Sequence, residues 1–144
     1  MKTWIKVVSV LVLIGVTAAF LVFYFLYNKP QPDYEKIEAA YSLAASDLYK
    51  EYTADKTIAG TKYNGKVLEV AGRLSKVEVA DSLTICVFSF NKGMFGDEGL
   101  RCTMLPGHAG NVKKLLPDAE VKIKGYCTGF SDTDVILDKC SIVK

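Results

Sequence analysis

The chain has 144 residues with 18 basic side chains, 16 acidic ones and a single histidine, for a formal net charge of +2. Sixteen of the basic residues and all 16 acidic ones lie beyond residue 27, so everything after the N-terminal segment is near neutral. That balance excludes the strongly basic stripe of an electrostatic nucleic-acid binder. The nearest approaches, Lys113–Lys114 and Lys122/Lys124, read as solvated faces.

In chain order, the first signal is an uncharged run from Val7 to Tyr27, 21 residues long. As a helix it measures about 31 Å at ~1.5 Å per residue, enough to cross a hydrocarbon core of ~30 Å. A cleaved signal has a shorter apolar region, ~7–15 residues, ending at a small-x-small site. Here the small pair Ala18–Ala19 is followed by eight more apolar or aromatic residues, Phe20 to Tyr27. The run therefore predicts an uncleaved anchor, with Trp4, Tyr24 and Tyr27 as interfacial aromatics. Basic residues flank it evenly, Lys2 and Lys6 before, Lys29 and Lys36 after. A short tail ahead of a large folded domain then favours N-in, C-out. The expected layout is a cytoplasmic tail over 1–6, a transmembrane helix over 7–27 and a linker over 28–33. In a bacterium, the rest lies in the periplasm or outside the cell.

The linker reads NKPQPD, a short stiff spacer. Residues 34–61 predict a helical segment. Ile37, Ala40, Tyr41 and Ala44 recur at three and four, and Leu48, Tyr49, Tyr52 and Ile58 follow less regularly. Two helices are expected, over 34–43 and 46–60, with Ser46 as cap, Asp47 in the first turn and Gly60 as stop. Their Tyr/Leu stripe is read as packing on the domain behind.

Residues 62–144 read as strands. A long first strand over 66–79 changes parity near Ser75, the mark of a β-bulge, and turns at Ala80–Ser82. A second strand covers Leu83–Phe90, a glycine-rich loop Asn91–Gly99 and a third strand Leu100–Leu105. A short helix follows over His108–Leu116, stopped by Pro117. A fourth strand covers Glu120–Cys127 and a fifth Val135–Val143, with a second bulge near Asp138. Strand-strand-strand-helix-strand-strand is the connectivity of the OB-fold, a five-stranded Greek-key barrel. The fold class is thus mainly β, with a plain five-stranded sandwich as the alternative.

Lys62–Tyr63–Asn64–Gly65–Lys66, Val70–Ala71–Gly72, Gly125–Tyr126–Cys127–Thr128–Gly129, Val135–Ile136–Leu137 and Cys140 carry a likeness. Over about residues 46–144 the chain resembles the tRNA_anti-like family of OB-folds, bacterial proteins that often carry an N-terminal signal or anchor. The resemblance implies the barrel and an anchored or exported setting; it brings no catalytic residues.

The four cysteines fall symmetrically about two hairpins. Cys86 and Cys102 are equidistant from residue 94, and Cys127 and Cys140 from the turn at Thr133–Asp134. Each pair can sit opposite across its hairpin at a separation that a disulfide tolerates. An oxidising setting favours bridging, Cys127–Cys140 first and Cys86–Cys102 second; the alternative is four small buried hydrophobes. No Cys-x-x-Cys is present, and one histidine, His108, without ribbon-type cysteine spacing argues against zinc. No catalytic set, metal site or cofactor motif stands out.

Surface recognition remains. OB-folds bind on the face of their second and third strands, which nominates Arg73, Phe88, Phe90, Met94, Phe95 and Arg101. Phe88 and Phe90 read first as core; Phe95, at the tip of a glycine-rich segment, is the aromatic that packing does not explain. The expected function is a non-enzymatic binding module, held to a membrane by Val7–Tyr27, that recognises a protein or envelope component. Its rival is a single-stranded nucleic-acid binder.

Overall fold

The computed structural model describes residues 1–29 and 32–143. It divides into two compact units, Met1–Pro32 and Asp33–Lys144. The first is helix α1 (Lys2–Tyr27), long and apolar enough to cross a membrane. None of its side chains is buried by the rest of the chain, which separates it from a core helix.

The second unit begins with a strap, not a helix. Over 34–43, where helical spacing predicted one, Tyr34 packs on Tyr126 (ring centroids 5.4 Å apart) and Glu35 reaches His108 (2.8 Å). The chain then forms strand β1 (Tyr41–Ala44). The exposed edge of β2 (Val67–Arg73) supplies the reason: β1 pairs parallel to it, Tyr41 opposite Leu68. Four residues of helical spacing do not outweigh an available backbone edge.

Helices α2 (Ala45–Ala54) and α3 (Lys56–Tyr63) follow. They separate at Asp55, whose carboxylate accepts from the Thr57 and Ile58 amides at 2.9 and 3.0 Å and caps α3. Ser46, the expected cap, instead lies in the first turn of α2. Gly60 does not stop α3, which runs on to Tyr63 and ends at Asn64–Gly65, Gly65 taking φ +77°. Ala45, Leu48, Tyr49 and Tyr52 form the buried stripe of α2.

The remaining strands are β3 (Lys76–Ala80), β4 (Leu83–Gly93), β5 (Gly96–Met104), β6 (Glu120–Ser131) and β7 (Asp134–Ile142), with helix α4 (Pro106–Val112) between β5 and β6. Among the described residues the sheet has seven strands in the order β1-β2-β6-β7-β5-β4-β3 and is not closed by a strand ladder. Two strands exceed the expected five: β1, and the division of the long first strand at Leu74–Ser75. There the Leu74 amide donates to Ala119 on the β6 side and the Ser75 amide donates to Val87 on β4, both at 2.9 Å. The chain thus passes from one end of the strand order to the other between adjacent residues. The segment Asn91–Gly99, expected as a loop, is the outer half of the β4–β5 hairpin, with Gly93 opposite Gly96.

Leu68, Val70, Leu74, Phe88, Leu100, Ile123 and Leu137 fill the core with all four cysteines. Cys86 stands opposite Cys102. Cys127, however, stands opposite Leu137, and Cys140 pairs with Met104. Register shifts between Lys124 and Tyr126 and between Cys127 and Gly129, with Lys139 at φ +50°, break the hairpin symmetry. The four thiols are unbridged. Burial, aided by Cys102, pushes the Cys86 thiol up to about 12. Burial also raises Cys127, and it raises Cys140 well above the ordinary thiol range. All four side chains serve as small buried packing groups.

Candidate functional site

The outward face of β4 and β5, the strands that carry most of the nominated residues, is joined to β3 and β7 by an ion network. Arg101 donates from Nη1 to Glu78 (2.8 Å) and from Nε to Asp134 (3.0 Å). Lys76 pairs with Glu78 at 2.9 Å and with Asp97 at 3.6 Å. The Gly99 amide donates to the second oxygen of Asp134 at 2.9 Å. A hydrogen bond from Lys76, opposed by burial and aided by Arg101, holds the Glu78 carboxyl below its usual range. Two cations face three carboxylates, so the charge of Arg101 is compensated within the network, although only two of its five N–H donors are engaged there.

The six expected residues separate. Phe88 is 0 % exposed and belongs to the core cluster, so it leaves the site. Arg101 is committed to its carboxylates. Arg73, exposed at the end of β2, makes no salt bridge among the described residues. Phe90 is the extra residue where the β4–β5 register shifts between Ser89 and Asn91. The bulge turns its ring onto Tyr49, centroids 5.6 Å apart. Met94 and Phe95 form the two-residue turn of the hairpin and are 94 % and 96 % exposed.

Beside the hairpin, between α2 and β4, lies a cleft of about 400 Å³ lined by Ser46, Tyr49, Lys50, Thr53, Phe90 and Asn91. Glu98 accepts from Asn91 at 3.2 Å and from the Tyr49 hydroxyl at 3.5 Å, tying hairpin to helix. Burial first, and the Glu98 charge second, raise the Tyr49 phenol, so the hydroxyl remains a donor. Sequence reasoning missed Tyr49, Lys50 and Asn91. The helical stripe did mark Tyr49 as packing, but no local pattern links it to a bulge 41 positions away.

A family model described as tRNA_anti-like matches residues 1–142. No curated protein sequence matches. Among solved structures, a lipoprotein of Klebsiella pneumoniae subsp. pneumoniae MGH 78578, to which nucleic-acid binding is provisionally ascribed, superposes with a TM-score of 0.55 at 16 % identity. The match covers 81 % of this chain and 100 % of that one. The yeast Stn1–Ten1 structure matches at 12 % identity over 80 % of this chain and 68 % of that one, with a TM-score of 0.35. At such identities the lipoprotein likeness bears on the fold alone.

Proposed function

The chain belongs to the tRNA_anti-like family, and on that premise we propose that it is a membrane-anchored OB-fold binding module, without catalytic role, that recognises a protein or another envelope component. In this reading β2 and β3 are the two halves of the bent first strand of a Greek-key barrel, with β4, β5, β6 and β7 as the other four and α4 as the intervening helix. The bonding of Leu74 to Ala119 and of Ser75 to Val87 supports it. So does the parallel β5–β7 pair, Leu100 opposite Val135. Helix α1 is the anchor, and the domain faces away from the cytoplasm, in a bacterium the periplasm or the cell exterior.

One observation carries the reading: Met94 and Phe95 stand almost fully exposed beside an open cleft, while the barrel face is closed by its own ion pairs. Exposed apolar side chains at a rigid tip are characteristic of recognition by a partner surface. The rival, single-stranded nucleic-acid binding, draws on the ascription of the Klebsiella lipoprotein. It needs a cationic groove with stacking aromatics, and Arg101 is neutralised where that groove would run. Titration of the full chain in detergent with single-stranded DNA and RNA at low and moderate salt separates the two. Phosphate-driven binding weakens steeply with salt. The expected result is no binding at low salt. Tight, salt-sensitive binding lost in Phe95→Ala and Arg101→Ala overturns the proposal.

A further inference from the structure

We infer that the occupant of the hairpin–cleft surface is a second copy of this chain, the tip of each copy lying in the cleft of the other. The inference rests on the binding-module reading and names its partner.

The first observation is the turn itself. Two-residue hairpin turns of the primed types select glycine, asparagine and aspartate, because these tolerate positive φ. Here the demanding geometry falls on Gly96, at φ +127°, while the two central positions carry Met94 and Phe95. Neither central residue has positive φ and neither packs on its own domain. The backbone therefore does not dictate these two residues, and adjacent apolar side chains left in water mark a recognition position.

The second observation is the cleft. Its volume, about 400 Å³, lies within the ~300–1,000 Å³ of small-ligand pockets, so a phenyl ring fits. The Tyr49–Phe90 pair forms an aromatic wall, and Phe90 is only half covered by it at 38 % exposure. A ring docked there completes an aromatic cluster.

The third observation is placement. The rung Asn91–Glu98 lies at the mouth of the cleft, and the tip is three residues further along the hairpin. That is about 10 Å at ~3.3 Å per residue. A two-fold axis through the hairpin therefore lays each tip across the other's cleft, a self-complementary arrangement. The charges agree. Lys50 at the cleft rim makes no salt bridge among the described residues, and Asp97, whose contact with its own Lys76 is a long 3.6 Å, arrives beside the tip; Glu98 stays with Tyr49 and Asn91 of its own chain.

The fourth observation concerns direction. The tip precedes the start of β5, whereas the strap, held through Glu35 to His108, sits beyond the end of β5. The nine residues of β5 set these apart by about 30 Å. The tip therefore lies at the end of the domain remote from the strap, within reach of a neighbour. Two copies anchored by α1 share one membrane, which raises their effective concentration without any new contact.

The test uses the full chain in proteoliposomes. All four native thiols are buried, so an introduced cysteine is the reactive one. Phe95→Cys and Thr53→Cys chains, mixed, are expected to crosslink to each other in excess of either alone. Phe95→Asp is expected to weaken self-association, measured by dilution-dependent energy transfer between labelled chains, at least about tenfold. A chain that is monomeric at every density, or a dimer indifferent to Phe95→Asp, overturns the inference. A photo-crosslinking residue at position 95 in native envelopes distinguishes the two readings. An adduct with a different molecule overturns the dimer and preserves the binding module, and no adduct of any kind overturns both.

Discussion

Gly125→Ala is the sharpest perturbation of the core under the sheet. On propensity alone alanine improves an interior strand position. Gly125 does not take positive φ, so no backbone strain opposes the change. The space does: a Cβ at 125 overlaps the Cys140 sulfur outright, and lies 3.2 Å from the Asp138 carbonyl oxygen and 3.3 Å from the Cys140 Cβ. Overpacking of this kind costs about 1–3 kcal/mol. For a domain of this size that lowers the melting temperature by roughly 4–12 °C, at ~4 °C per kcal/mol. Cys140→Ala removes one buried heavy atom and costs about 0.5–1.5 kcal/mol, like Ile→Val. In the double variant the sulfur is gone and the remaining approaches are tight but tolerable. The pair is therefore expected to cost little more than Cys140→Ala alone. Thermal melts of the four chains, followed by near-ultraviolet circular dichroism with and without reductant, close the double-mutant cycle. Additive losses would show that Gly125 serves something other than room for Cys140. A large drop on adding reductant to the unaltered chain would show that the thiols are bridged.

Tyr52→Phe removes a buried hydroxyl that donates to Asn64 at 2.6 Å and meets Cys127 at 3.3 Å, and is expected to cost about 1 kcal/mol in denaturant unfolding; an unchanged midpoint refutes it. Glu78 has its pKa depressed below 4.5 in the folded state, so its stabilisation is full above pH 4.5 and is lost as pH falls through the folded value. Glu78→Gln is therefore expected to melt lower at pH 7 and to lose less than the parent between pH 4.5 and 3; parallel pH profiles would rule this out.

How far the fold was legible depended on what each signal measures. The order of strands and the break at Ser75 could be read because side-chain parity reports directly which face is buried. The glycines of Asn91–Gly99 misled. They looked like flexibility, yet a Cβ at Gly99 would collide with the Phe88 carbonyl oxygen. That glycine allows backbones to approach closely, which is a strand role. The centre of the hairpin was available from Cys86 and Cys102, which stand opposite about residue 94, within the Met94–Phe95 turn. Cys127 and Cys140 offered the same arithmetic and failed, because register shifts are invisible in spacing. Helical spacing over 34–43 failed where the edge of β2 recruited the backbone.

The candidate site was legible only at its exposed tip. Phe95 was recognisable because a phenylalanine in a turn has no packing explanation. Arg101 looked equally attractive, but the residues that neutralise it, Glu78 and Asp134, come from two other strands, 23 positions before it and 33 after. Whether an arginine is available depends on such neighbours and not on its own segment. The same ion pairs that occupy the outward sheet face also fix the hairpin: Asp134 holds Gly99, and Lys76 holds Asp97, on the rungs below the tip. A network that compensates the charge of that face thereby also ties the hairpin at these rungs. A pre-ordered tip loses less freedom on docking than a floppy one. Closing one surface and presenting another are then two effects of a single set of charges.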